Sequence, residues 1–446
     1  MSKSLQKGII FAVCILLVCA LGVTLFIFDG TGGAVTEQEG QASAVAQNMA
    51  TYTHGSKIGR ALPSDYTSVS DGTALKAAIE ANNKDIVLTN DVTLQTNPSD
   101  KVNNYLWNDN SQCFDSDLNG NTDLKVDGFT HKIYGQGYTI EVQGPHGATG
   151  DGMQQNDGDT HDYGGLFPKL GNNGAVYDVK IYITKGFSVE TYKTWSGAFG
   201  SGNDEWLNVG GIAGSLIGNA VIDNVTVEIA SGVKLASYKW SDGSSTSQYV
   251  RVGAIAGEIN NTASISNVTV INNGRLESGQ YTSQAKFSPD SDRYYGAAGN
   301  VVGWISSATS SINNVRVEGS GTLYSYYVAN IANAIGSTVS VNNFYNNFTG
   351  TFNAKYKSSN TLGQGEGATS TLTVTNHYKK GALASSAGTD NTVVATNTLT
   401  VPNNLTLYFI PKATQDSDRL GIAFSGTTYS SANDYTVTGL NNAEKT

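Results

Sequence analysis

One block recurs along the chain at unequal intervals, and no globular packing of independent elements accounts for that. GGLFPKLGNNGAVYDVKIYITKG from Gly164, GGIAGSLIGNAVIDNVTVEIASG from Gly210, GAIAGEINNTASISNVTVINNG from Gly253 and GNVVGWISSATSSINNVRVEGSG from Gly299 align with one another. ANIANAIGSTVSVNNFYNNFTG from Ala329 is a weaker fifth copy. Each begins with small residues around an apolar one, passes through a turn and ends in an alternating run with an Asx before its last apolar pair. Those Asx residues are Asp178, Asn224, Asn267, Asn314 and Asn343, spaced 46, 43, 47 and 29 apart. Constant blocks at variable spacing describe a constant coil carrying variable loops.

The alternation has a period of two, as in Val221, Asp223, Val225 and Val227 around Asn224 and Thr226, which is the mark of half-buried strands. No single unit can bury its apolar face alone, whereas strands stacked about 4.8 Å apart do so. The expected fold is therefore all-β, a right-handed parallel β-helix, because parallel crossovers are right-handed. Gly211, Ala213 and Gly214 are expected to let adjacent sheets approach at a corner, and Asn224, Asn267 and Asn314 to stack as an amide ladder in a turn. In SDGTALKAAIEANNKDIVLTNDVTL, Asp71 is placed to cap a short helix whose Leu75, Ala78 and Ile79 share one face. Such a helix would cover the open end of the stack.

The Gly-Gly-Leu/Ile-x-Gly block followed by an Asx-Val-x-Val strand resembles the GLUG-type repeat of bacterial and archaeal surface proteins. The Ser70–Leu94 entrance is similar to the start of many pectate-lyase-like β-helices. The resemblance covers about residues 70–350. It implies a β-helical fold and a place on the cell surface, and carries no activity with it.

Ahead of the repeats, Ile9 to Phe28 form an uncharged apolar run of twenty residues, preceded by Lys3 and Lys7 and followed by Asp29, Glu37 and Glu39. That length matches the hydrocarbon core of a bilayer, and the flanking charges place everything after Asp29 outside. Residues 1–28 thus read as a signal anchor, a transmembrane helix holding the protein at the membrane, with a cleaved signal peptide and a secreted product as the alternative. The Lys7-Gly8 junction is similar to that of type IV prepilins, although the expected Glu after it is missing, and self-association into an extracellular filament follows as a third reading. Residues 29–65 read as a flexible spacer, 66–350 as the β-helix, and 351–446 as further coils or a small capping β-domain.

Composition narrows the functions. The 51 Gly against 7 Pro suit tight turns between short strands. With 27 basic and 37 acidic residues the net charge is −10, so no basic field exists to hold a nucleic acid. Beyond Cys14 and Cys19 in the apolar run, Cys113 stands alone, which excludes an intrachain disulfide or a paired-Cys zinc site in the remainder.

The segments between blocks, 190–208, 237–251, 280–295 and 322–327, concentrate aromatic residues. They recur at equivalent points of successive coils and should emerge on one side. Trp195, Trp206, Trp240, Tyr294 and Tyr295 are the expected ligand-binding residues, suited to sugar rings or a protein partner. The competing expectation is that aromatics of these segments tuck beneath them as a satellite core.

Two acidic stretches remain. Asp115, Asp117, Asn119, Asn121 and Asp123, with Gly120 at the sixth place, follow most of a calcium loop, but Val126 stands where a closing Glu belongs. Calcium binding of the extracellular type and a plain Asx-rich turn are both open. The second stretch holds Asp157, Asp159 and Asp162, which as paired carboxylates would suit a polysaccharide lyase or glycoside hydrolase, against a plain solvated turn. No Gly-x-Ser-x-Gly elbow, phosphate loop or dinucleotide fingerprint occurs. The leading expectation is a non-enzymatic surface protein, an adhesin or structural module.

Overall fold

The computed structural model describes residue 55 and residues 60–94, 128–143, 153–155, 161–191, 205–240, 248–283, 286–288, 296–306, 308–380, 385–401, 405–409 and 420–424. Within them the chain forms a parallel solenoid of three sheets, of thirteen, twelve and six strands, which we call the first, second and third. One turn of the solenoid takes a strand from each. In the second repeat these are Ala213–Ile217 of the third sheet, Val221–Ile229 of the first, and Lys234–Trp240 and Gln248–Gly253 of the second. The run Ile9 to Phe28 lies outside the described residues, and among those described no helix is long and apolar enough to cross a membrane.

Register is what makes the core. Ile222 pairs with Val176 on one side and Ile265 on the other, and Ile265 with Ile312. Val225, Val268 and Val315 form the next row, and Phe344 and His377 extend it. All these aliphatic residues are fully buried in one continuous core. Each row places like side chains about 4.8 Å apart, so the shape of one coil fits the next.

The recurring Asx marks a sharp bend inside the long strands of the first sheet, rather than a turn between strands. Asp178, Asn224, Asn267, Asn314 and Asn343 all adopt the left-handed conformation, with φ between 50° and 56°, and the pairing passes over each of them. Asn and Asp tolerate this region best among non-glycine residues. Their side chains form the expected ladder: Asn224 Nδ2 donates to Asp178 (2.8 Å), Asn314 to Asn267 (3.1 Å), Asn343 to Asn314 (2.8 Å), Asn376 to Asn343 (2.8 Å) and Asn397 to Asn376 (3.1 Å). The step between coils two and three runs through a neighbour, with Asn267 Nδ2 donating to Asp223 Oδ1 at 2.8 Å.

Helix Gly72–Ala81 closes the N-terminal end as expected. The Asp71 side chain accepts from Ala74 N, left-handed Asn82 ends the helix, and Leu75, Ala78 and Ile79 are buried. At the other end the parallel stack runs past residue 350 to Thr398–Val401, and Leu405–Phe409 and Leu420–Phe424 form a separate antiparallel pair. The close corner expected at Gly211 is present: a Cβ there would lie 2.4 Å from Ala254 O.

Two predictions test this packing. Asn314→Ala removes two ladder hydrogen bonds and leaves a β-carbon in the left-handed region, and should cost about 2–4 kcal/mol in chemical denaturation. Asn314→Gly, free of the backbone penalty, should cost measurably less. His377 occupies a core row, stacked on Phe344 at 5.2 Å, where burial, with Lys379 adding, pushes its pKa from 6.5 down to about 4. The folded state thus binds fewer protons than the unfolded one between those values, so stability holds above pH 6.5 and falls as pH drops toward 4. The full effect is about 3 kcal/mol, and denaturation midpoints of His377→Phe should lose that part of the pH dependence.

Candidate functional site in the interrupted second sheet

Successive coils break their second-sheet strand at one place. Phe187–Thr191 resumes as Glu205–Gly210, Lys234–Trp240 as Gln248–Gly253, and Arg275–Ser283 as Gly296–Gly299. The preceding coil does the same, with Met153–Gln155 resuming as His161–Gly164. The fourth repeat carries Thr322–Ala329 straight across the gap, pairing with Arg275–Glu277 before it and with Ala297–Gly299 after it. Of the four segments expected to be loops, 322–327 is therefore a strand. Its coil has no room for an excursion, which is why its Asx spacing falls to 29.

Strand register fixes what lies beside what at the mouth of these excursions. Trp206 pairs with Tyr249 on one side and His161 on the other. Trp240 pairs with Tyr281, and Tyr281 with Phe287 of an antiparallel extension. Thr191 pairs with Gln155, so the acidic stretch and the first aromatic segment leave the sheet from neighbouring strands. Asp162 sits on a strand at the register position of Leu207. Asp157, Asp159, Trp195, Tyr294 and Tyr295 lie outside the described residues, as do Asp115, Asp117, Asn119, Asn121 and Asp123. Among the described residues no group of three metal-binding side chains occurs.

Beneath the mouth the sheet carries buried polar and aromatic groups. Tyr238 donates to Glu277 Oε1 at 2.7 Å, Glu277 also pairs with Arg275, and Arg275 lies 5.0 Å from the Tyr324 ring. Further along, Arg251 pairs with Glu258, both at most 2 % exposed. Asn208 Nδ2 donates to Glu258 Oε2 (2.9 Å) and to Ser215 Oγ (3.1 Å), and Arg251 lies 5.0 Å from the Tyr249 ring and 5.8 Å from Trp304. Gly257 makes room for this cluster, since a Cβ there would lie 2.5 Å from Val209 N. Trp304, Tyr326 and Tyr327 form a second apolar cluster with Tyr356 packed against it. Burial pushes the Tyr327 phenol well above its usual range, with Glu366 adding to the shift. Tyr238, Tyr326 and Tyr327 are thus buried, the last two on a continuous strand rather than beneath a loop.

Comparison with protein-family models, with curated proteins and with solved structures returned no match. The site therefore has to be read from its own chemistry.

That chemistry combines the strand ends from which aromatic and acidic segments leave with a buried polar and aromatic floor. Trp206 and Trp240 are brought to the mouth by the two strands flanking the gap. The Arg251–Glu258 pair was invisible to repeat reading, because the alignment marks constant positions and these two occupy variable ones. The traceable signal was an Arg at an interior strand position of a chain with only six. A charge buried without its partner is costly, so Arg251→Met should destabilise by about 3–5 kcal/mol in chemical denaturation. Arg251→Met combined with Glu258→Leu should recover most of that loss.

Proposed function

We propose that this chain is an extracellular, membrane-anchored right-handed β-helix whose interrupted sheet presents a binding face, so that it acts as an adhesin or structural surface module. One observation carries the reading: successive coils open at the same strand position, and the segments leaving there are rich in Trp and Tyr. Aromatic side chains brought to one mouth supply flat apolar area with polar edges, which suits sugar rings or a protein hot spot. The apolar run Ile9 to Phe28 supports the anchor. In this reading Trp195, Trp206, Trp240, Tyr294 and Tyr295 contact the ligand, and Asp115, Asp117, Asn119, Asn121 and Asp123 hold calcium.

A second reading has its own support. The acidic stretch leaves the sheet beside the first aromatic segment, so a glycan held by the aromatics would pass Asp157, Asp159 and Asp162. Paired carboxylates there would serve as acid and base in hydrolysis of a glycosidic bond.

Glycan-array and cell-binding measurements separate the two. Replacing Trp195, Trp206 and Trp240 by Ala should weaken binding by about tenfold or more without moving the melting transition; unchanged binding would sink the assignment. Release of sugars from acidic polysaccharides in calcium, lost in Asp157→Ala and Asp159→Ala, would favour the enzyme.

A further inference from the structure

The ladder corner of the first sheet is not left to itself. At coils one and two it receives two residues from far upstream. Gly55 N donates to Asn224 Oδ1 at 3.1 Å, across 169 residues of sequence. Arg60 Nε donates to Asp178 Oδ2 at 3.2 Å, and Arg60 Nη2 to Asp223 Oδ2 at 2.5 Å. The guanidinium also lies 4.1 Å from the centre of the Tyr177 ring, which is itself 5.4 Å from Tyr134. Gly55 adopts φ +88°, and a Cβ there would lie 2.6 Å from Val179 O, so the corner accepts glycine and little else at that point.

We propose that Gly55 and Arg60 form a two-point clasp that pins the N-terminal segment along the ladder corner, and that the clasp opens and closes without unfolding of the solenoid. Its position makes Gly55, at the side of coil two rather than at the capped end of the stack, the point where the upstream chain meets the solenoid, and opening it moves that point to the strand Tyr66–Val69. Two features make it reversible. Arg60 is a quarter exposed and Asp223 nearly a fifth, so water reaches both, while the buried Asp178 carboxylate keeps the Asn224 amide as a partner at 2.8 Å. The ladder also has a second pairing to fall into. Asn267 Nδ2 now bonds to Asp223 Oδ1, while Asn224 Oδ1 accepts from Gly55. With the clasp open, that donor and acceptor stand on adjacent rungs, as in the pairs that join Asn267 to Asn397.

Tryptic cleavage of the intact chain after Arg60 tests this, because a clasped Arg60 is withheld from the protease. Gly55→Ala and Asp223→Asn should each speed cleavage at Arg60 by about tenfold while leaving the main melting transition in place. Raising salt to about 0.5 M should speed it in the wild type and much less in Asp223→Asn. Wild-type cleavage within about twofold of both variants would overturn the clasp. If Gly55→Ala lowers the melting transition, amide exchange of Gly55 in the wild type and in Arg60→Gln decides. Slow exchange that Arg60→Gln accelerates upholds the clasp, and exchange at the unprotected rate in both overturns it.

Discussion

Every coil of this protein is completed by hydrogen bonds to another coil. Because the strands are parallel, the N–H and C=O groups along Val221–Ile229 find partners on Ala175–Lys185 below and Ser264–Asn272 above, and nothing within the coil can replace them. The apolar rows obey the same rule. Ile222 and Val225 are buried because the equivalent residues of both neighbours sit on top of them. A slip of one residue would turn the whole row outward, so register and core are a single constraint. The ends are where that constraint fails, and the capped helix Gly72–Ala81 meets it at one end by packing its buried Leu75, Ala78 and Ile79 face with the strands Tyr66–Val69 and Val92–Leu94.

The left-handed Asn line follows from the same constraint. To enclose a core, each coil has to turn the long first-sheet strand sharply, and it has to do so at the same place in every coil or the rows part. A residue with φ near 50° makes that bend in one step. Glycine would make it too, but Asn both tolerates that conformation and carries an amide that donates to the coil before and accepts from the coil after. The bend and the inter-coil tie therefore share one position, held by Asn except at the first rung, where Asp178 only accepts.

This explains what was legible in the sequence. Whatever stacking repeats could be read: the Asx positions, the small residues at Gly211, the helix at Asp71, and the alternation except at its phase, which the left-handed Asn224 resets so that Ile222 rather than Val221 and Asp223 faces inward with Val225 and Val227. What crosses between non-equivalent positions could not be read. Arg251 and Glu258 meet across two sheets, and Arg60 reaches Asp178 and Asp223 over more than a hundred residues, so neither has a period to betray it. The misreading of 322–327 as a loop had a different cause. Its aromatic content matched the other segments, but the interval of 29 residues to Asn343 already left no length for an excursion. Interval, in a solenoid, says more than composition.

The position of the interruptions is itself a consequence of stacking. A strand that breaks and resumes must leave its neighbours with partners on both sides of the gap, and the second sheet does so only because consecutive coils break together. Thr322–Ala329 shows the alternative, spanning the gap once no further coil needs it open. Charge follows the same logic. A charge repeated in register faces its own kind about 4.8 Å away, as Lys234 and Arg275 do, with Arg275 paired to Glu277 on its own strand; elsewhere Lys180 pairs with Glu228 of the next coil at 2.6 Å. Sparse charge on the coils and abundant Trp, Tyr and Asp in the intervening sequences fit one geometry: most of what repeats is neutral, and variety is concentrated in the segments that leave the stack.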